Sequence, residues 1–272
     1  MFLWMAVCFA QQACSSDSPS ETVETPPDSG KYQNLYFEDQ FDTFNEQAWT
    51  KESHPAGWVN QELQIYDPSH VTVGRDGDKS VLILTAEHKD GVIYSGRVNS
   101  KGKKSVKYGL IEASIKLPST ADGLWPAFWM MGEGDKQWPA CGEIDILEMG
   151  EKGGIAAGTQ NRQVNVAIHY GTSATTHEQK YYSNLAPASL QDGKYHTYAL
   201  EWDEERLAIS IDGNPFYSFD ISRNTYFHDR FYLLLNLAVG GAFTGITDAT
   251  GITALKEGEQ ARMYVDWIRI KN

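Results

Sequence analysis

The chain has 272 residues, with 23 Lys and Arg against 36 Asp and Glu, a formal charge of −13. So acidic a surface repels phosphate backbones, which excludes a nucleic-acid ligand, and it disfavours sulfated polymers while leaving neutral ones open. With 41% hydrophobic and 12% aromatic residues, the chain can fill a sizeable core and is no disordered polypeptide.

In chain order, residues 1–13 read as an export signal. The apolar run FLWMAVCFA (2–10) is too short to span a bilayer. Ala13-Cys14-Ser15-Ser16 puts a small residue before a cysteine, as at a bacterial lipoprotein cleavage site. A lipid on Cys14 would hold the exported chain at the outer membrane or cell surface, its one expected tie to a membrane. Residues 14–31 are rich in Ser, Pro and acids and read as an extended tether. Residues 32–272 read as one domain. With the chain cut before Cys14, which removes Cys8, and Cys14 lipidated, Cys141 lacks a partner and is expected as a free, buried thiol.

The domain shows no helix of convincing length. Its apolar residues come in short runs of period two, such as VLILTAEH (81–88), YGLIEASIKL (108–117), HTYALEW (196–202), RLAISIDG (206–213) and MYVDWIRI (263–270). Asp212-Gly213-Asn214 predicts a turn. Strands recurring about every ten residues indicate an all-β sandwich of two facing sheets, and the helices of a TIM barrel are missing.

The segment Gly142-Glu143-Ile144-Asp145-Ile146-Leu147-Glu148 carries the chemistry. Strand alternation puts Glu143 and Asp145 on one face and Ile144 and Ile146 in the core. Strict alternation would bury Glu148 in the core, where an ionised carboxylate is very costly. One β-bulge near Ile146-Leu147 returns Glu148 to the face of the other two. Glu143 and Glu148 are then roughly 13 Å apart at Cα. Side chains leaning inward would bring the carboxyls to roughly 5 Å, the spacing of a retaining rather than an inverting glycosidase. Like charges this close should raise at least one carboxyl pKa and keep an acid protonated near neutral pH. The plainer alternative is a strand with an acidic outer face, but three aligned carboxylates repel. A cation site is a third option, although one flat strand makes a poor cage.

Trp125 and Trp129 flank this strand with Trp138, and flat indoles suit the C–H faces of neutral sugars. Asn60, Glu62, Arg97, His169 (after Val166-Ala167-Ile168) and Asn236 (interrupting a leucine run) are further polar candidates. No Cys/His metal motif, phosphate loop or serine elbow occurs.

These residues, together with Trp125-Pro126-Ala127-Phe128-Trp129-Met130, Trp138-Pro139-Ala140-Cys141, Ser95-Gly96-Arg97, Asn236-Leu237-Ala238-Val239-Gly240-Gly241 and Tyr264-Val265-Asp266-Trp267, resemble glycoside hydrolase family 16. The bulged Glu-x-Asp-x-x-Glu pattern is similar to its laminarinase-like branch; the lichenase branch lacks the extra residue. The resemblance covers about residues 33–272. It implies a β-jelly roll of two curved antiparallel sheets, concanavalin A-like, with an open concave cleft. It makes Glu143 the nucleophile, Glu148 the acid/base and Asp145 their helper. Asn60, Glu62, Arg97, Trp125, Trp129, Trp138, His169 and Asn236 fall where relatives line the glycone side or flank the acid/base. No cofactor is expected for the chemistry. A structural calcium on the convex face is left open, with Asp266 the acidic residue that fits. One departure stands out: relatives of this branch usually carry Asn-Trp-Pro-Gly after Gly240-Gly241, and this chain has Ala242-Phe243-Thr244-Gly245, so an indole near the cleft is expected to be missing.

The expectation is therefore a monomeric, exported, retaining endo-β-1,3(4)-glucanase, its partner a neutral β-glucan such as laminarin or mixed-linkage glucan. The alternatives are a galactan hydrolase or a transglycosylase of the same family, and a glycan-binding lectin.

Overall fold

The computed structural model describes residues 30–272. The segments expected as export signal and tether, with Cys14, lie outside the described residues up to residue 29.

Among the described residues eighteen strands follow in chain order: β1 (Leu35–Asp39), β2 (Thr50–Lys51), β3 (Ile65–Tyr66), β4 (Val71–Asp76), β5 (Lys79–Lys89), β6 (Val92–Ser95), β7 (Arg97–Asn99), β8 (Ser105–Val106), β9 (Gly109–Lys116), β10 (Leu124–Gly132), β11 (Glu143–Glu148), β12 (Gln163–Tyr170), β13 (Glu178–Leu185), β14 (His196–Trp202), β15 (Arg206–Ile211), β16 (Asn214–Asp220), β17 (Phe231–Val239) and β18 (Gln260–Lys271). Among the described residues the α-helix is confined to Lys152–Ala157. The runs of period two are therefore strands, as their patterning requires. Asp212 and Gly213 take φ of 51° and 74° between paired Ile211 and Asn214, which is the two-residue hairpin turn that a right-twisted ribbon favours.

The strands form two sheets. One runs β16-β15-β14-β9-β18-β5-β6-β3, with β1 on β18 and β4 on β5. The other runs β13-β12-β11-β10-β17-β7-β2, with β8 on β17. Every pair is antiparallel except β3–β6. The facing sides are apolar on alternate positions: Leu82, Leu84 and Ala86 from β5 and Ile268 and Ile270 from β18 pack with Phe128 and Met130 from β10 and Leu233, Leu235 and Leu237 from β17, all without solvent contact. That core leaves the opposite face of the second sheet free to carry polar and aromatic groups. Cys141 is a free, buried thiol.

Asp266 lies at a bulge in β18, where the register with β9 shifts between Val265 and Trp267. Its carboxylate accepts from the Lys79 ammonium at 2.6 Å. A lysine thus supplies the positive charge at the oxygen a calcium would need. As they stand, these residues do not fit the ion.

Candidate active site

The site is built on β11. Its partners show where the extra residue sits: Asp145 faces Trp129 on β10 and Ala167 on β12, while Glu148 faces Ala127 and Asn165. Two steps on each neighbour match three on β11, and Leu147 faces Phe128, so Ile146 is the bulged residue. Ile144, Ile146 and Leu147 all join the core. Glu143, Asp145 and Glu148 consequently share the outer face. The bulge lets two consecutive apolar residues point inward without sending a carboxylate after them.

Rows of residues cross this face. One reads Asn165 (β12), Glu148 (β11), Ala127 (β10), Asn236 (β17) and Arg97 (β7). A second begins His169, Glu143, Met131 and Tyr232. Ala127 is small, which leaves room between Glu148 and Asn236.

The carboxyls are crowded. His169 Nε2 lies 3.3 Å from Asp145 Oδ2 and 3.9 Å from Glu143 Oε1. Asp145 Oδ2 is buried and has no hydrogen-bond partner. Burial, then repulsion from Asp145, pushes the Glu143 carboxyl up to about 8. Burial raises Asp145. Burial followed by repulsion from Asp145 and Glu143 raises Glu148 well above the usual carboxylate range. The trio thus keeps a proton at neutral pH, because three charges this close to one another, with Asp145 buried and the two glutamates half-buried, cannot all persist. Glu143, Asp145 and His169 bring ligand atoms within 4.8 Å of one another and could hold a cation, but the proton that the carboxyls retain already offsets part of their charge.

Aromatic groups fix the ends of this cluster. Trp125 Nε1 donates to Glu148 Oε1 at 2.9 Å, and Phe243 stacks on Trp125 at 4.5 Å between centroids. The departure at residues 242–245 therefore puts a phenyl ring against the indole. Trp129 Nε1 donates to Asn236 Oδ1 at 2.7 Å. Trp138, 41% exposed, lies over His177 at 4.7 Å and His169 at 6.3 Å.

On the Arg97 side, Asn236 Nδ2 donates to Tyr66 Oη, which donates to Glu62 Oε2 at 3.1 Å; Asn60 Nδ2 donates to Glu62 Oε1. Arg97 is buried, bonds Glu52 at 2.5 Å and lies 4.9 Å over the Trp129 ring. Burial would raise the Glu52 carboxyl, but the Arg97 charge and bonds from Asn99, Arg97 and His54 outweigh it and hold the group below its ordinary range. The loop carrying Asn60 reaches this face because Gly240 and Gly241, at φ 69° and 91°, let it approach: a Cβ on Gly241 would stand 2.8 Å from the Asn60 carbonyl oxygen.

Residues 60–269 match the profile of the glycosyl hydrolases family 16. The chain belongs to this family. Its jelly-roll sandwich is shared with a Bacteroides ovatus GH16 from a mixed-linkage glucan PUL, in complex with a G4G4G3G product (68% identity, TM-score 0.86, covering 86% of this chain and 99% of that one). It is also shared with the laminarinase catalytic domain of Thermotoga maritima (29% identity, TM-score 0.73, 89% of this chain and 98% of that one). Among curated proteins it is similar to a glucan endo-1,3-beta-glucosidase A1 of Niallia circulans (32% identity over 94% of this chain) and a beta-glucanase of Rhodothermus marinus (33% over 89%). The chain spans 40% of the length of the first and 86% of the second.

In this family-16 hydrolase the second sheet brings Glu143, Asp145, Glu148, Trp125, Trp129, His169, Asn236 and Arg97 together by strand register. Trp138, Asn60 and Glu62 reach the same face from loops. Sequence reasoning missed several neighbours. His177 is bonded to His169 Nδ1 at 2.8 Å. Glu52 holds Arg97. Trp58 is 45% exposed and stacked flat on His54 at 3.5 Å. Tyr66 joins Glu62 to Asn236. Asn165 lies opposite Glu148. Asn165 offered a signal, being a polar residue on the same alternating set as His169 in β12. The others depend on loop and edge-strand placement.

Proposed function

We propose that this protein is a retaining endo-glucanase that cleaves β-1,3- or β-1,4-linkages of laminarin-type or mixed-linkage β-glucan. The observation that carries the reading is three carboxylates on one strand face, with Glu148 held by the Trp125 indole and Glu143 beside His169. The likeness to the Bacteroides ovatus protein supports mixed-linkage glucan as the first substrate to test. The net charge of −13 supports a neutral polymer over a sulfated galactan.

In this reading Glu143, in its ionised form, attacks the anomeric carbon while Glu148, kept protonated by burial and by its neighbouring carboxyls, gives its proton to the departing glycosidic oxygen. The carbon–oxygen bond breaks and a glycosyl ester forms on Glu143. Glu148, now ionised, takes a proton from a water molecule that attacks the same carbon; the ester bond to Glu143 breaks, its carboxylate is freed, Glu148 is protonated again, and the two displacements leave the configuration retained. Asp145 orients Glu143 and shares a proton with it, with the His169 ring beside both carboxyls. The row of Arg97 and Asn236, with the indoles, holds the sugar chain by hydrogen bonds and stacking.

Glu143→Gln should abolish release of reducing ends while sparing much of the binding to the polymer; near wild-type turnover in that variant overturns the assignment. Sizing the products from laminarin, barley-type glucan, cellulose and agarose decides linkage and endo action. We further propose export with a lipid on Cys14, resting on Ala13-Cys14-Ser15-Ser16. Radiolabelled fatty acid should label the wild type and leave Cys14→Ser unlabelled.

A further inference from the structure

Asn165 on β12 is fully buried, and its Nδ2 has no hydrogen-bond partner. It belongs to the outer face, since Val164, Val166 and Ile168 supply the core side of the strand. It stands directly opposite Glu148. A buried amide donor left unpaired costs free energy, so a structural role alone gives no reason to keep it. Its Oδ1 is engaged, accepting from Tyr181 Oη at 2.8 Å. Exchanging the amide N and O would not pair both amide hydrogens, because one tyrosine oxygen would meet one of them.

Tyr181 is on β13, the edge of this sheet, paired with Ala167 and so on the same outer face. The residue is 45% exposed although its hydroxyl is tied down. The strand beneath is braced: Tyr182, on the opposite face, stacks on Tyr217 of β16 at 4.0 Å. An exposed aromatic ring on a rigid edge, beside an unpaired buried donor, suits a glucosyl unit. A C–H face would stack on Tyr181, and a hydroxyl would accept from Asn165.

Its place in the row decides which unit. Reading from Arg97 through Asn236 and Ala127, Asn165 lies beyond Glu148. Resting on the reading of Glu148 as the acid, we infer that Asn165 and Tyr181 bind the first glucosyl unit of the departing chain, and that they select for a glucan leaving group rather than for the sugar that becomes bonded to Glu143.

The test compares two substrates in the same enzyme. Barley-type mixed-linkage glucan places a sugar on the leaving side; a dinitrophenyl β-oligoglucoside carries the same kind of glycone with an aryl leaving group that needs neither a proton nor that sugar. Tyr181→Ala and Asn165→Leu should lower the ratio of kcat/KM on glucan to kcat/KM on the aryl glycoside about tenfold, one unpaired or unstacked contact. Both variants should also lose transfer to added oligosaccharide acceptors. An unchanged ratio, whether both rates hold or fall together, overturns the inference. Tyr181 is on the surface, so Tyr181→Ala carries the test if Asn165→Leu does not fold. Failure of the broader reading looks different: the wild type then cleaves neither substrate.

Discussion

Trp125 donates one indole N–H to Glu148, and the same strand face carries two more carboxyls with an imidazole beside them. The arrangement costs stability. A carboxyl whose folded pKa is raised keeps a proton that the unfolded chain has already released. Stability therefore falls as pH climbs from about the ordinary carboxylate value of 4.3 through the folded value, which for Glu143 is about 8. Replacing Glu148 by Gln removes one ionising group from the trio. Glu148→Gln should be inactive on glucan yet more stable, by about 1–3 kcal/mol at neutral pH, or roughly 2–10 °C in Tm. The gain should widen between pH 5 and pH 8. A calorimetric Tm that drops, or a gap flat across that range, contradicts the buried-proton account.

The bulge in β11 was legible in the sequence, because Glu148 would otherwise follow Ile144 and Ile146 into the core. Its position at Ile146 yields a pair of opposite outcomes. Deleting Ile146 restores plain alternation and keeps Glu148 opposite Ala127 and Asn165. That variant should fold, losing one buried side chain at about 2–5 kcal/mol, and retain measurable hydrolysis. Inserting an alanine after Ile146 moves the following residues by one step and turns Glu148 or its pairing inward; soluble, active enzyme should be lost. Circular dichroism and reducing-end assays separate the two, and an active insertion variant sinks the register argument. The cross-strand rows were not legible. Asn236 and Arg97 are far apart in the chain, and only the β17–β7 pairing sets them side by side.

For the whole molecule, Lys79 against Asp266 joins β5 to β18 in the first sheet. Because an ammonium already meets this carboxylate, chelators should leave Tm within about 1 °C and added calcium should not raise it. Lys79→Ala should cost less than about 1 kcal/mol, the usual size of a half-exposed ion pair. A chelator-induced drop of several degrees in the wild type would show that a cation binds after all.

Composition and period two determined by themselves that this acidic chain folds as an all-β sandwich. Alternation determined that Glu143, Asp145 and Glu148 could share a face only through a bulge. These follow from sequence because each residue's face depends on its own strand, and burying charge is expensive enough to exclude the other arrangement. Tertiary structure alone decided what faces those carboxyls: Trp125 on Glu148, His177 behind His169, Glu52 under Arg97, Phe243 against Trp125, Asn165 with its unpaired amide, and Lys79 on Asp266. Those contacts depend on strand order and register between distant segments, which are set by the packing of the two sheets as a whole.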